Sequence, residues 1–311
     1  MSPAAAALLP ADLRVLERGW LSSNSVLMTG DPRGAVLVDT GYCSHVDQTE
    51  TLIAHELAEA GESLRLIVNT HLHSDHCGGN ARLRQLHGCP VLIPPGQFDA
   101  VQSWDEERLS YRPTGQRCPR FQADGIMQPG TVLAQAGREW EILAAPGHDP
   151  DAVMLFERRS GVLISADALW EHGFGIVFPE IDGVSGFDEV EQSLDLIESL
   201  PVRLVIPGHG AVFSGVGTAL AEARSRLAFF RLHPDRHARH AAKALLMFHM
   251  LERGESSRAD LLSWLERTPI HAVMWRQYFG AKSLQTWTEE LLQELVRAAA
   301  LQLDGEMIHC T

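Results

Sequence analysis

The stretch Thr70-His71-Leu72-His73-Ser74-Asp75-His76-Cys77-Gly78-Gly79 closes the apolar run LRLIVNT at 64–70. It sets three imidazoles and one carboxylate within the six residues 71–76. A lone histidine is ordinarily a packing or surface residue. This density beside an aspartate has the chemistry of a metal site, because imidazole and carboxylate both ligate zinc and similar divalent ions. A turn at a strand end lets such side chains converge. Gly78 and Gly79 let the backbone turn closely into the following helix.

Working outward, three further pieces of the same kind stand where an apolar run gives way to a loop. They are Pro146-Gly147-His148, Ser165-Ala166-Asp167-Ala168 and Pro207-Gly208-His209-Gly210. Each alone reads as a turn. Together with residues 71–76 they supply enough donors for two coordination spheres. Upstream, the run AVLVD at 35–39 ends on Asp39.

The segments between these pieces have a regular rhythm. Residues 22–30 and 35–39 read as strands joined by a turn at 31–34, 46–60 as an amphipathic helix, 64–70 as a buried strand, 79–87 as a helix and 89–94 as a strand. The stretch 96–130 is polar and broken by Pro113, Pro119 and Pro129, and it reads as a surface loop or lid that holds Trp104 and Tyr111. Strand-like runs return across 131–167, followed by a loop at 171–187, a helix at 188–199 and a strand at 202–210. From about 216 to 302 nearly everything is helix-compatible. The expected organisation is an α/β unit over residues 1–215 and a small, mainly helical C-terminal domain or extension over 216–311.

Composition narrows the function. The 311 residues carry 40 Asp and Glu against 26 Lys and Arg, a formal charge of -14. Only Lys243 and Lys282 are lysines, and no basic run occurs. A nucleic-acid surface needs clustered positive charge, so no nucleic-acid partner is expected. The five cysteines are odd in number and form no CxxC pair, which argues against a disulfide framework or a zinc knuckle. No run of 18 apolar residues exists, and the N-terminus lacks a basic start and a sustained apolar stretch. No membrane partner and a cytoplasmic location are the expectation.

On Asp39, the His71–His76 box, His148, Asp167 and His209, in that order, the chain resembles the metallo-β-lactamase-fold hydrolases, a superfamily that includes glyoxalase II and lactonases. The resemblance covers about residues 20–215. It implies a four-layer αββα sandwich with the metal site at one edge. It implies that His71, His73 and His148 hold one divalent ion and that Asp75, His76 and His209 hold a second, with Asp167 bridging both. Zinc is the expected metal, with iron or manganese as alternatives. Asp39 resembles the buried support residue of the family. Cys77 falls outside the implied ligand set, and Ser74 reads as a turn residue.

The implied chemistry is hydrolysis by a hydroxide shared between two ions, with Asp75 orienting the nucleophile. A bound divalent ion lowers the pKa of water toward about 7. The expected substrate is a small ester-like molecule: a thioester, lactone or carboxylic ester. A small phosphodiester is the alternative, and a non-catalytic ligand-binding or regulatory protein is a further one. Trp170, His172 and Phe174 follow Asp167 closely and are candidates for the substrate pocket. Asp149 and Asp151 either fix a ligand imidazole or cap a turn. Basic residues such as Arg226 read as helix surface. The C-terminal helices are candidates for a homodimer contact.

Overall fold

A computed structural model describes residues 3–311. Eleven strands form two sheets. The first holds β1 (Leu13–Leu16), β2 (Ser25–Met28), β3 (Ala35–Val38), β4 (Leu64–Val68), β5 (Val91–Ile93) and β6 (Gly125–Ile126), side by side in chain order. The second holds β7 (Val132–Gln135), β8 (Arg138–Ala144), β9 (Val153–Glu157), β10 (Val162–Ala166) and β11 (Leu204–Pro207), also in chain order across the sheet.

The strands β3, β4, β9, β10 and β11 are buried almost throughout, which explains their largely apolar sequences. Their alternate side chains serve two different cores. Val36, Val38, Leu66 and Val68 of the first sheet meet Trp140, Ile142, Leu155 and Ile164 of the second. On the other face of the first sheet, Leu37, Ile67 and Val91 pack with Ile53 and Leu57 of α1 (Val46–Ala60) and Leu83 of α2 (Asn80–His87). On the other face of the second sheet, Met154, Phe156 and Leu163 pack with Leu194 and Ile197 of α3 (Phe187–Ser199) and Leu227 of α4 (Val216–Leu232). The result is the expected four-layer αββα sandwich. Each fully buried Val, Leu or Ile in these layers contributes about 1.5–3 kcal/mol relative to exposure.

Strand direction gathers the loops that matter. β3 runs parallel to β4. In the second sheet β8 and β10 both run antiparallel to β9, and β11 runs parallel to β10. The C-terminal ends of β8, β10 and β11 therefore share one edge, as do those of β3 and β4. All five sequence pieces leave from these ends. Hydrogen bonds join the two edges: Val153 N–H donates to Thr70 O at 2.8 Å, and Asn24 N–H donates to Gly208 O at 2.7 Å.

The stretch 96–130 is not a detached lid. Leu109, Tyr111 and Phe121 are buried in the core outside the first sheet, with Trp104 packed against them. Tyr111 Oη donates to Leu72 O at 3.0 Å, directly beneath the histidine box. The prolines break the regular elements, but the apolar residues between them still anchor the segment.

After α4 come α5 (Pro234–Arg253), α6 (Arg258–Arg267) and α7 (Leu284–Arg297), which enclose a separate core of Leu246, Met250, Leu261, Met274, Trp287 and Leu291. The helix reading of this part omits a three-stranded antiparallel sheet of β12 (Glu255–Ser257), β13 (Leu301–Asp304) and β14 (Met307–Cys310). No helix of the described residues is long and apolar enough to cross a membrane.

Candidate metal centre

The turn after β4 brings the histidine box to the sheet edge. Ser74–Cys77 forms one helical turn, with Thr40 N–H donating to His76 O at 2.7 Å. A Cβ on Gly78 would stand 2.5 Å from Cys43 N, so the close approach read from the sequence requires glycine. Gly208 has a similar role near the last histidine. A Cβ there would lie 2.1 Å from Asp167 Oδ1.

The structure brings seven side chains together: His71, His73, Asp75, His76, His148, Asp167 and His209. Donor atoms of His71, His73 and His148 lie within 4.8 Å of one another, as do those of Asp75, His76 and His209, and those of His71, His76 and Asp167. Asp167 Oδ2 stands between the outer members, 3.3 Å from His148 Nε2 and 4.0 Å from His209 Nε2. His73 Nδ1 lies 2.7 Å from His148 Nε2, and His209 Nε2 lies 3.0 Å from Asp75 Oδ2.

Neighbouring groups fix the rings. Asp39 Oδ2 is 2.7 Å from His76 Nδ1, and the same carboxylate accepts from Thr70 Oγ1 at 2.7 Å and from Thr70 N–H at 2.9 Å. His76 therefore carries its proton on Nδ1 and turns Nε2 toward the cluster. His148 Nδ1 donates to Ile176 O at 2.5 Å, which leaves its Nε2 facing His73. Asp39 holds φ at 58° and Ala166 at 46°, two non-glycine residues in the left-handed region beside the donors.

The donor set fits divalent cations. His71 Nε2 and His76 Nε2 are buried with no hydrogen-bond partner, a costly state for an imidazole nitrogen unless another partner takes it up. Burial, with the neighbouring His76, His73 and His148, holds the His71 imidazole well below its ordinary pKa. Burial likewise brings His73 and His148 to about 4. These three rings are thus neutral at pH 7, the state in which an imidazole can serve as a ligand. Burial also pulls on His76, but the carboxylates of Asp167, Asp39 and Asp75 outweigh it and raise that imidazole well above its ordinary value.

Other candidates fall into place around this cluster. Asp149 Oδ1 accepts from Asp151 N–H at 2.7 Å, which caps the turn, while its Oδ2 sits 3.8 Å from His73 Nε2. Cys77 joins none of the donor groups; its Sγ is buried 3.2 Å from Tyr111 Oη and 3.7 Å from Cys118 Sγ. Ser74 Oγ donates to Gln116 Oε1 at 2.5 Å, as befits a turn residue.

A cavity of about 550 Å³ opens onto the cluster. Trp170 and His172 line it, but Phe174 does not. Phe174 is buried in the core outside the second sheet, with its ring 6.5 Å from that of Phe230, because the chain turns inward at Gly173. Sequence reasoning missed Trp20, Phe178 and Phe248, and it left Arg226 on the helix surface although Arg226 lines the cavity. None of these carries a local signal, since they converge only in three dimensions.

Residues 18–209 match the family described as the metallo-beta-lactamase superfamily. A hydroxyacylglutathione hydrolase of Synechococcus sp. (strain JA-3-3Ab) is 29% identical over 193 residues, covering 61% of this chain and 64% of that protein. An acyl-coenzyme A thioesterase of Gallus gallus is 27% identical over 166 residues, covering 50% of this chain and 59% of the other. The chain therefore matches less than two thirds of the length of either relative. A crystal structure of a metallo-beta-lactamase family protein from Thermus thermophilus aligns with 98% of this chain and 100% of its own, with a TM-score of 0.57 at 20% identity, which speaks to the fold alone. By its sequence match and its sandwich architecture, this chain belongs to the metallo-beta-lactamase superfamily.

Proposed function

We propose that the chain is a metal-dependent hydrolase that holds two divalent ions, zinc first among them, and cleaves a small thioester or related ester-like substrate. The observation that carries this reading is the cluster of seven facing donors, with His73, Asp75, His148, Asp167 and His209 on a cavity wall and the buried Nε2 atoms of His71 and His76 without a partner. His71, His73 and His148 are assigned to one ion, Asp75, His76 and His209 to the other, and Asp167 to both. Divalent ions held by these residues would supply Lewis-acid polarisation of the attacked carbonyl and a water acidified toward a pKa of about 7.

The protein's own groups do the rest. Asp39 and the carbonyl of Ile176 keep His76 and His148 in the tautomers that face the cluster. Asp75 lines the cavity and is the carboxylate placed to orient a water molecule and to pass a proton toward the leaving group. Trp20, Phe178 and Phe248 line the cavity beside the cluster and give it an apolar wall. In this reading residues 1–215 form the catalytic unit, and the helices that follow supply a wall of its pocket.

The thioester class has support from two relatives, one named for a hydroxyacylglutathione and one for acyl-coenzyme A, both thioesters. A phosphodiester is the weaker reading, since Arg226 is the only arginine or lysine on the cavity wall among the described residues. The test is turnover of matched thioester, lactone, carboxylic ester and phosphodiester substrates by zinc- or manganese-loaded protein, with His71→Ala as blank. Turnover of a carbonyl class that is absent from the blank supports the reading. Equal rates in protein and blank across all classes refute it.

A further inference from the structure

The cavity wall is mainly apolar, and its apolar groups flank the donor cluster on both sides. On one side Phe178 lies 5.0 Å from the ring of His73 and 5.7 Å from that of His148. On the other side an aromatic collar surrounds His209. Trp20 stacks on its ring at 5.3 Å, while Trp170 and Phe248 meet it edge-on at 5.5 and 6.4 Å. Trp20 is 56% exposed at the rim of the pocket. Ala244 and Leu245 sit one helical turn before Phe248 on α5 and line the same cavity.

Positive charge is scarce there. Arg226 donates from Nη1 to His172 O at 3.1 Å, so part of its donor capacity is used within the protein. A wall of this kind gives little hold on a polyanionic thiol. It has ample apolar surface for a hydrocarbon group, and a volume of about 550 Å³ suits a small-molecule ligand.

We infer that the pocket recognises its substrate through an apolar acyl chain, seated along Trp20, Trp170, Leu245 and Phe248, rather than through the thiol that carries it. This inference rests on the hydrolase reading for its reaction but on the wall alone for its ligand. Ala244 is the position where added bulk shortens the seat.

The experiment uses the full-length metal-loaded protein. Calorimetry measures binding of straight-chain carboxylates from acetate to octanoate. Steady-state kinetics measures kcat/KM for the matching acyl thioesters of one small neutral thiol. Affinity is expected to rise with each added methylene, by up to roughly fourfold where it is fully buried. Ala244→Phe is expected to move the end of this rise to a shorter chain. Binding that is flat with chain length in the unaltered protein overturns the inference, as does a rise that ends at the same length in the Ala244→Phe variant. Chain-length-dependent binding without turnover keeps the inference and removes the thioesterase reading. Turnover with flat binding does the reverse.

Discussion

The indole Nε1 of Trp170 donates to Asp167 Oδ1 at 3.2 Å, three residues along the same turn. The bond holds one oxygen of the carboxylate that lies between the two donor groups, while Oδ2 stays directed at His148 and His209. Outer partners of this kind set ligand orientation, and their loss typically costs 10–100-fold in metal affinity or activity. Trp170→Phe keeps the ring and removes the donor. Metal affinity measured by chelator competition is expected to fall about tenfold. Unchanged affinity would show that the indole only packs.

Asp39 offers a second test. It holds the His76 tautomer and sits at φ 58°, a conformation that Asn tolerates better than most residues. Asp39→Asn should therefore preserve the turn yet lose the anionic partner of His76. The expected result is metal content falling from two ions toward one per chain, with an unchanged far-ultraviolet spectrum. Two ions retained at full affinity would remove Asp39 from its supporting role.

Direct removal of donors separates metal from fold. His71→Ala and Asp167→Ala are expected to abolish turnover and reduce bound metal while the sandwich persists, because its cores lie between and outside the sheets. Cys77→Ala should retain both ions, since its sulfur faces Tyr111 and Cys118. Loss of both ions from the Cys77 variant would mean that the ligand assignment is wrong.

Acid should also loosen the helical part. His237 on α5 accepts from Val177 N–H at 3.1 Å through Nε2, and burial, aided by His240, brings its pKa down from 6.5 to about 3. The unfolded chain protonates there near pH 6.5 and the folded chain does not. Its contribution is fully present above pH 6.5 and is lost as pH falls toward 3. The limiting slope is about 1.4 kcal/mol per pH unit for one proton. Hydrogen exchange in α5 should accelerate across this window. His237→Gln, which can still accept through its side-chain oxygen but does not titrate, should flatten the dependence by one proton.

Much of this was legible in the sequence because its signals are local. The donors crowd into 71–76, follow Pro-Gly at 148 and 209, or directly follow a strand at 167, and strands buried on both faces read as largely apolar runs. The cavity wall was not legible, because Trp20, Phe178 and Phe248 come from three distant segments and are unremarkable in each. Phe174 misled for the same reason, since closeness to Asp167 along the chain says nothing about which core takes its ring. The C-terminal hairpin did carry a signal. Gly305-Glu306 is the two-residue loop between β13 and β14, with Gly305 at φ 59° as such a turn favours, but the helix periodicity before it dominated.

Asn24 has a consequence for how the molecule is made. Its side-chain amide donates to Pro207 O at 3.0 Å and to Gly210 O at 2.8 Å, joining positions 183 and 186 residues apart. The loop that carries His209 is thus pinned by a segment made far earlier in synthesis. During synthesis the histidine box leaves the ribosome long before its last partner exists. Contacts of such long sequence separation form late. Metal loading of a complete site therefore waits for the closing of this clasp, and translation arrested before Gly210 should yield chains that bind the ion weakly and in part.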